Sequence, residues 1–174
     1  MGQARKQSRL ARIWRHLWLD DADLRRAVPQ ALVERLARRV AASERRHTGE
    51  VRIYVEPALP LSYLWRDATP RERAVTTFGK LRVWDTEQNN GVLIYLLLAE
   101  HAIEIVADRG LASKVPHDAW QAIVDRMGSA FHEARFEDGL TQALEEVSAL
   151  LVQHFPAAPG AVNPNELPDA PVLG

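Results

Sequence analysis

Oxygen-bearing polar side chains lie at two places in the chain, just before one apolar run and just after the next. The runs span residues 92–99 and 102–107, and the polar residues around them are Asp85, Glu87, Asn89, Asn90 and Asp108. Carboxylate and amide oxygens are the ligands that Ca²⁺ and Mg²⁺ prefer in proteins. If the fold brings the two places together, these five residues predict a divalent-cation site.

The same residues have a purely structural interpretation. Arg109 places a positive charge beside Asp108 and could form an ion pair with it or with Asp85, in place of a metal. Asn90-Gly91 is a common turn dipeptide that the backbone conformation alone can require. Both interpretations, a cation site and structural loops, stay open on the sequence.

Other chemistries have less support. The chain contains no cysteine, which excludes disulfides, thiolate metal sites and cysteine nucleophiles. Its six histidines are scattered, and no two have zinc-ligand spacing within one predicted element. Hydrolysis of a phosphate ester would therefore need a metal-activated water. The sequence assigns no catalytic residue and leaves open whether the protein is an enzyme.

A second candidate region is the basic segment 4–18. It places apolar residues at helical spacing among arginines, with no acid between them. Such a helix can bind an anionic membrane surface or a protein partner, or it can pack its apolar face on its own domain and leave the arginines solvated. The expected contact residues are Arg9, Arg12, Trp14, Arg15 and Trp18, joined by Tyr63 and Trp65 of an unusually apolar loop over residues 57–69.

The elements that position these residues follow from hydrophobic periodicity. The run 92–99 is typical of a strand buried on both faces, and 102–107 predicts its antiparallel hairpin partner, which would return Asp108 to the loop that holds Asp85. Apolar and polar residues alternate over 50–56, which is typical of an edge strand, and Thr69-Pro70 predicts a helix start. The order helix-strand-helix-strand-strand-helix-helix predicts a three-layer α/β/α sandwich with a small mixed sheet.

Length and composition limit the remaining possibilities. We divide the 174 residues into a basic N-terminal helix (1–18), one domain (20–155) and a disordered proline-rich tail (156–174). The net charge of -1 argues against nucleic-acid binding. The longest apolar run is too short for a membrane-spanning helix, and the sequence shows no secretory signal. The expected location is the cytoplasm, with peripheral association at the inner face of the membrane.

Several short motifs resemble those of the TPM domain family, which is named from thylakoid-lumen, photosystem-repair and acetylcholine-receptor-modulating members. They are Thr48-Gly49 before the first strand, the stretch 90–94 at the start of the hairpin, the stretches 103–105 and 110–111 at its end, and 136–139 before the last helix. The resemblance spans roughly residues 28–155. It implies an α/β/α sandwich, divalent-cation binding in some members, and the acid phosphatase activity ascribed to plant members.

The chain also departs from the family pattern. Asp108 stands where the first glycine after the hairpin is usual, Ala112 stands in place of a glutamate, and Asn89 replaces the acid that commonly precedes asparagine-glycine. Bacterial relatives often carry a signal peptide and a membrane helix, and this chain resembles a soluble variant. The leading hypothesis is an accessory protein that binds a partner or a membrane; the alternative is a divalent-metal-dependent phosphatase.

Overall fold

Four strands form one sheet at the centre of the molecule: β1 (Val51–Glu56), β2 (Val92–Leu97), β3 (Ala102–Ala107) and β4 (Val172–Leu173). Their order is β3-β2-β1-β4 in a computed structural model that describes residues 9–160 and 165–174. β1 is parallel to β2 and to β4, and β2 and β3 form the predicted antiparallel hairpin. Every residue of β2 is buried, as its unbroken apolar sequence indicates.

Eight helices of the described chain surround the sheet. They are α1 (Arg9–Trp18), α2 (Asp21–Ala27), α3 (Gln30–Glu44), α4 (Leu61–Trp65), α5 (Pro70–Lys80), α6 (Arg109–Ala112), α7 (His117–His132) and α8 (Phe136–His154). A 3₁₀ turn, Leu98–Glu100, ends the central strand earlier than the apolar run suggests, and His101 closes the hairpin with a φ of 49°.

Side chains alternate between the two faces of β2 and enter two separate cores. Ile94 and Leu96 pack with α3, α7 and α8, whereas Leu93 and Tyr95 pack with α4 and α5. Because helices cover both faces, the predicted three-layer α/β/α sandwich is confirmed.

Local signals fix the helix starts that the sequence predicts. Thr69 and Glu72 form a reciprocal capping box with Pro70 in the first turn of α5, and Asp20 and Asp23 form another at α2. The short helices α4 and α6 are absent from the sequence prediction, because one turn of helix carries little periodic signal. The apolar loop expected at residues 57–69 therefore contains a helix.

The segment after residue 155 differs from the disordered tail that the sequence predicts. Residues 161–164 lie outside the described chain, but Leu167 is buried and β4 pairs with β1 at Tyr54 and Val55. β1 is consequently covered along part of the edge that was expected to be free. Non-local pairing with an open strand edge orders this short segment, although it has no periodicity of its own.

Within the described residues, no helix is both long enough and apolar enough to cross a membrane.

Candidate functional site

The hairpin brings the two groups of predicted ligand residues together at one end of the sheet. Gly110 donates its N–H to the Asn89 carbonyl at 2.8 Å, and Asp108 donates its N–H to the Gly91 carbonyl at 2.8 Å. Arg109 Nε lies 3.1 Å from Asn89 Oδ1. We call this region, residues 85–91 with 108–110, the polar edge.

Glycine is required where these loops touch. A Cβ on Gly91 would lie 1.9 Å from the Val83 carbonyl oxygen, and one on Gly110 would lie 2.4 Å from that of Asn89. Asn89 itself has a φ of 52°, a left-handed conformation that asparagine tolerates better than most residues. Close approach of the backbone therefore explains these residues without a ligand.

Three of the five predicted ligands are paired with an arginine or lie exposed on the surface. Asp85 forms an ion pair with Arg82, and Asn89 Oδ1 accepts the bond from Arg109. Glu87 is exposed, and its backbone N–H donates to Glu166 Oε1. Arg109 thus pairs with the amide of Asn89 and not with Asp108 or Asp85.

The other two predicted ligands keep unpaired oxygens. Asn90 is 1 % exposed and donates Nδ2 to Thr48 Oγ1, while its Oδ1 has no partner among the described residues. Asp108 uses Oδ1 to cap the N–H of Arg109 at 2.7 Å, and its buried Oδ2 is likewise unsatisfied. Buried polar oxygens without a partner are costly, so each could accept a cation or a water.

The donor set is small for a metal centre. Across residues 9–160 and 165–174, no three His, Asp or Glu side chains converge as a metal ion would need. One carboxylate and one amide oxygen match a cation that keeps most of its water, as Mg²⁺ commonly does, better than a complete cage of protein ligands.

A belt of buried ionisable groups lies beside the polar edge and was missed by the sequence analysis. Glu44 accepts the N–H of Val51 at 3.0 Å, and burial raises its pKa to about 8, with help from the charges of Glu50 and Asp169. His47 is fully buried, and burial lowers its pKa to about 4. Glu44 and His47 resemble ordinary polar residues at a helix end, so the sequence carries no signal of this burial.

The α1 helix docks on the domain by its polar side. His16 is 3 % exposed, accepts the Leu59 N–H at Nδ1, and brings Nε2 to 2.9 Å from Glu100 Oε1. Arg12 donates to Glu100 and to Asp67 at 2.7 and 2.8 Å. Burial acts to raise the pKa of Glu100, but the hydrogen bonds from His16 and Arg12 outweigh it and leave that pKa lowered.

This docking turns most of the apolar side of α1 outward, whereas the interpretation in which that side packs on the domain holds only for Ile13, which is partly buried against the core of Leu93 and Tyr95. Trp14 and Trp18 are 59 % and 74 % exposed and stack with ring centroids 6.3 Å apart. Leu10 and Leu17 are exposed on the same side. The polar side of α1 faces the domain because the largely buried Glu100 accepts charge-assisted hydrogen bonds from Arg12 and His16, and the exposed Asp67 adds a second ion pair with Arg12.

The predicted contact residues outside α1 separate into two groups. Trp65 of α4 is 73 % exposed, and its carbonyl accepts a bond from Arg9 Nη2 at 2.6 Å, which joins α4 to α1. Tyr63 is half-buried and stacks under Arg66 and Arg73. Trp65 therefore extends the exposed apolar surface of α1, whereas Tyr63 packs partly buried against the core of Leu93 and Tyr95.

Comparison with known proteins gives a family and a fold. The TPM domain family model matches residues 23–150. The NMR structure of the BA42 protein from the psychrophilic bacterium Bizionia argentinensis is similar with a TM-score of 0.73 and 23 % identity, covering 84 % of this chain and 95 % of that one. The solution structure of the N-terminal domain of a P. gingivalis protein is similar with a TM-score of 0.60 and 19 % identity, covering 75 % and 82 %. No curated protein matches the chain.

Proposed function

The chain belongs to the TPM domain family, and from that premise we propose that it is an accessory protein that docks on an anionic membrane surface. The contact surface is the docking patch, which we define as Leu10, Trp14, Leu17 and Trp18 of α1 with Leu61 and Trp65 of α4. The observation that carries the proposal is the outward orientation of an apolar helix face that is already anchored by its other side.

The concentration of exposed apolar side chains supports the proposal. Among the described residues, the large hydrophobic side chains that are clearly exposed outside the docking patch are Val75 and Trp84. Exposing a cluster of leucine and tryptophan to water costs about 25 cal/mol for each Å² of apolar surface, so contiguous apolar patches usually mark an interaction surface. Tryptophan is suited to a membrane interface because its ring is apolar and its N–H is polar.

Charge favours an anionic surface over a neutral one. Arg9 and Arg15 are exposed on α1, and no acid occurs in residues 1–19 of the sequence. Arg5 and Lys6 precede α1 and lie outside the described residues. Each basic side chain near an anionic bilayer contributes about 1 kcal/mol, an attraction that salt weakens.

Vesicle flotation tests the proposal. The intact chain should float with vesicles of phosphatidylcholine and phosphatidylglycerol, less with phosphatidylcholine alone, and less as salt rises. The double variant Trp14→Ser and Trp18→Ser should lose binding at least about tenfold, since each large apolar side chain contributes on the order of 1 kcal/mol or more when buried. Arg12 and His16 stay intact in this variant, so α1 remains anchored.

The matched control is Trp84→Ser, which removes an exposed tryptophan outside the docking patch and should bind vesicles as the wild type does. Equal flotation of the double variant and the wild type would contradict the proposal. So would failure of the intact chain to bind anionic vesicles, which would leave the patch to a protein partner.

A second candidate, a divalent-metal-dependent phosphatase, is favoured by the unpaired oxygens of Asn90 and Asp108. Those two residues would hold Ca²⁺ or Mg²⁺ at the polar edge, and the ion would supply an activated water. Asp85 and Asn89 are engaged with arginines and Glu87 is exposed, so among the five residues predicted from the sequence Asn90 and Asp108 are the ones that keep buried, unpaired oxygens. Titration with MgCl₂ or CaCl₂ should shift the amide resonances of 85–91 and 108–110, and Asp108→Asn should abolish the shifts. Absence of localised shifts would remove this candidate.

A further inference from the structure

A groove lies between the free edge of β3 and helix α7. Its cavity has a volume of about 510 Å³. Its lining combines the apolar side chains of Ile103, Ile105, Val115, Trp120 and Val124 with the polar ones of Arg71, Glu104, His117 and Gln121. The groove is distinct from the docking patch and from the polar edge, since none of its lining residues belongs to either.

The register of the sheet shows that main-chain groups point into this groove. Val92 donates its N–H to the Glu50 carbonyl, so its main-chain groups face β1. Orientation alternates along a strand, so Leu93 faces β3, where it pairs with Val106. Val106 therefore turns its main-chain groups toward β2. Residues of β3 at the alternate positions, Ile103, Ile105 and Ala107, turn their N–H and C=O groups toward the free edge.

One side chain crosses that edge. Arg71, at the start of α5, donates Nη1 to the Ile105 carbonyl and lies 3.5 Å from Glu104. Its side chain is 51 % exposed, so the guanidinium closes the middle of the edge without being buried. An incoming strand that offers an N–H to the Ile105 carbonyl would displace Arg71 from it and leave the guanidinium, beside its present partner Glu104, available to a second acid on that strand.

The opposite edge of the sheet shows how such an edge is covered. There the segment that contains Val172 and Leu173 lies along β1 as a short apolar strand, and Gly174 donates its N–H to the Val55 carbonyl. The β3 edge offers the same main-chain groups and also has a groove beside it whose walls carry apolar side chains. An edge strand next to a helix-walled groove is the arrangement that binds extended peptides by strand addition.

We infer that this groove binds an extended peptide segment of a partner protein as an added strand on β3. Alternate side chains of the peptide are apolar and enter the groove against Trp120 and Val124, and an acidic side chain pairs with Arg71. The recognition combines main-chain hydrogen bonds, which give affinity, with two or three apolar contacts, which give specificity.

A second copy of the chain is a poorer occupant than a peptide. Antiparallel pairing of two β3 edges around Ile105 would bring the two Arg71 guanidinium groups together across the interface, and like charges directly opposite each other are destabilising. A single peptide strand carries no such charge and can supply the acid instead.

Selection of random linear peptides displayed on phage against the intact chain provides the probe. The selected peptides should alternate apolar and polar residues and include an acid, and titration with one should shift the amides of 103–107 and 117–124. N-methylation of its amides one at a time should weaken binding at alternate positions by about tenfold, because only every second N–H faces β3. This readout leaves the protein unchanged, so it does not depend on whether a variant folds.

Two protein variants complete the test. Trp120→Ala should weaken the selected peptide at least about tenfold through loss of the apolar contact, and Trp84→Ala should not affect it. Failure to select peptides, shifts confined to other surfaces, or equal sensitivity at every N-methylated position would overturn the inference. So would a dimer of the intact chain, seen by sedimentation, that the peptide dissociates.

Discussion

At the scale of single residues, burial decides the properties of ionisable groups that look ordinary in the sequence. Glu44 and Glu50 are almost fully buried beside the segment that carries β4, and Leu167 donates its N–H to Glu50 at 3.1 Å. Burial raises the pKa of both carboxyls, and the nearby charge of Asp169 adds to the effect. These groups therefore tie the stability of the fold to pH.

We expect Glu44→Gln to remove part of that pH dependence. The folded pKa of Glu44 is about 8 against an ordinary value of 4.5. Its contribution to stability is therefore fully present below pH 4.5 and is lost as the pH rises toward 8, at about 1.4 kcal/mol for each pKa unit. Urea unfolding measures the free energy of unfolding at pH 5 and pH 9. The difference between variant and wild type should shift in favour of the variant from pH 5 to pH 9, by on the order of 1 kcal/mol or more.

The matched control for this measurement is Glu34→Gln, which neutralises an exposed glutamate on the same helix, α3. It should not change the difference between the two pH values. A free energy of unfolding for Glu44→Gln that differs from the wild type equally at pH 5 and pH 9 would show that Glu44 titrates normally in the folded state.

At the scale of elements, α1 and β4 are placed by partners distant in the sequence. The apolar periodicity of α1 predicts the helix, but the ion pairs of Arg12 and the buried hydrogen bonds of His16 decide which side faces the domain. β4 forms because β1 presents an unpaired edge, and Leu167 packs in the core that contains Leu93 and Tyr95.

We expect Leu167→Ala to destabilise the protein by about 2 kcal/mol, the lower end of the range for core leucines, because this leucine lies at the margin of the core. Urea unfolding measures the change. The control is Pro168→Ala at the exposed neighbour, which should change stability by less than about 0.5 kcal/mol.

In the wild type, hydrogen exchange of the Gly174 amide should be slow, since that N–H bonds to the Val55 carbonyl. Fast exchange there would support the disordered tail.

At the scale of the whole molecule, the three candidate surfaces are separate. β1 and β2 run in parallel, so the polar edge lies where they begin, and the contacts of α1 with Leu59 and Glu100 lie beyond where they end. The β3 groove occupies one side of the sheet. Substitutions in separate regions with no shared partners usually act independently. The outcome of the vesicle, metal or peptide experiment therefore does not depend on the outcome of the other two.

The sequence by itself determined the layered fold and the meeting of the two polar loops. An unbroken apolar strand requires helices on both faces, and a tight hairpin returns Asp108 to the start of β2. Both results therefore follow from local pattern and short connections. Only the tertiary structure decided that Asp85 pairs with Arg82, that Glu44 is buried, and that the tryptophans of α1 face outward. Each of these depends on partners or on packing that no local pattern encodes.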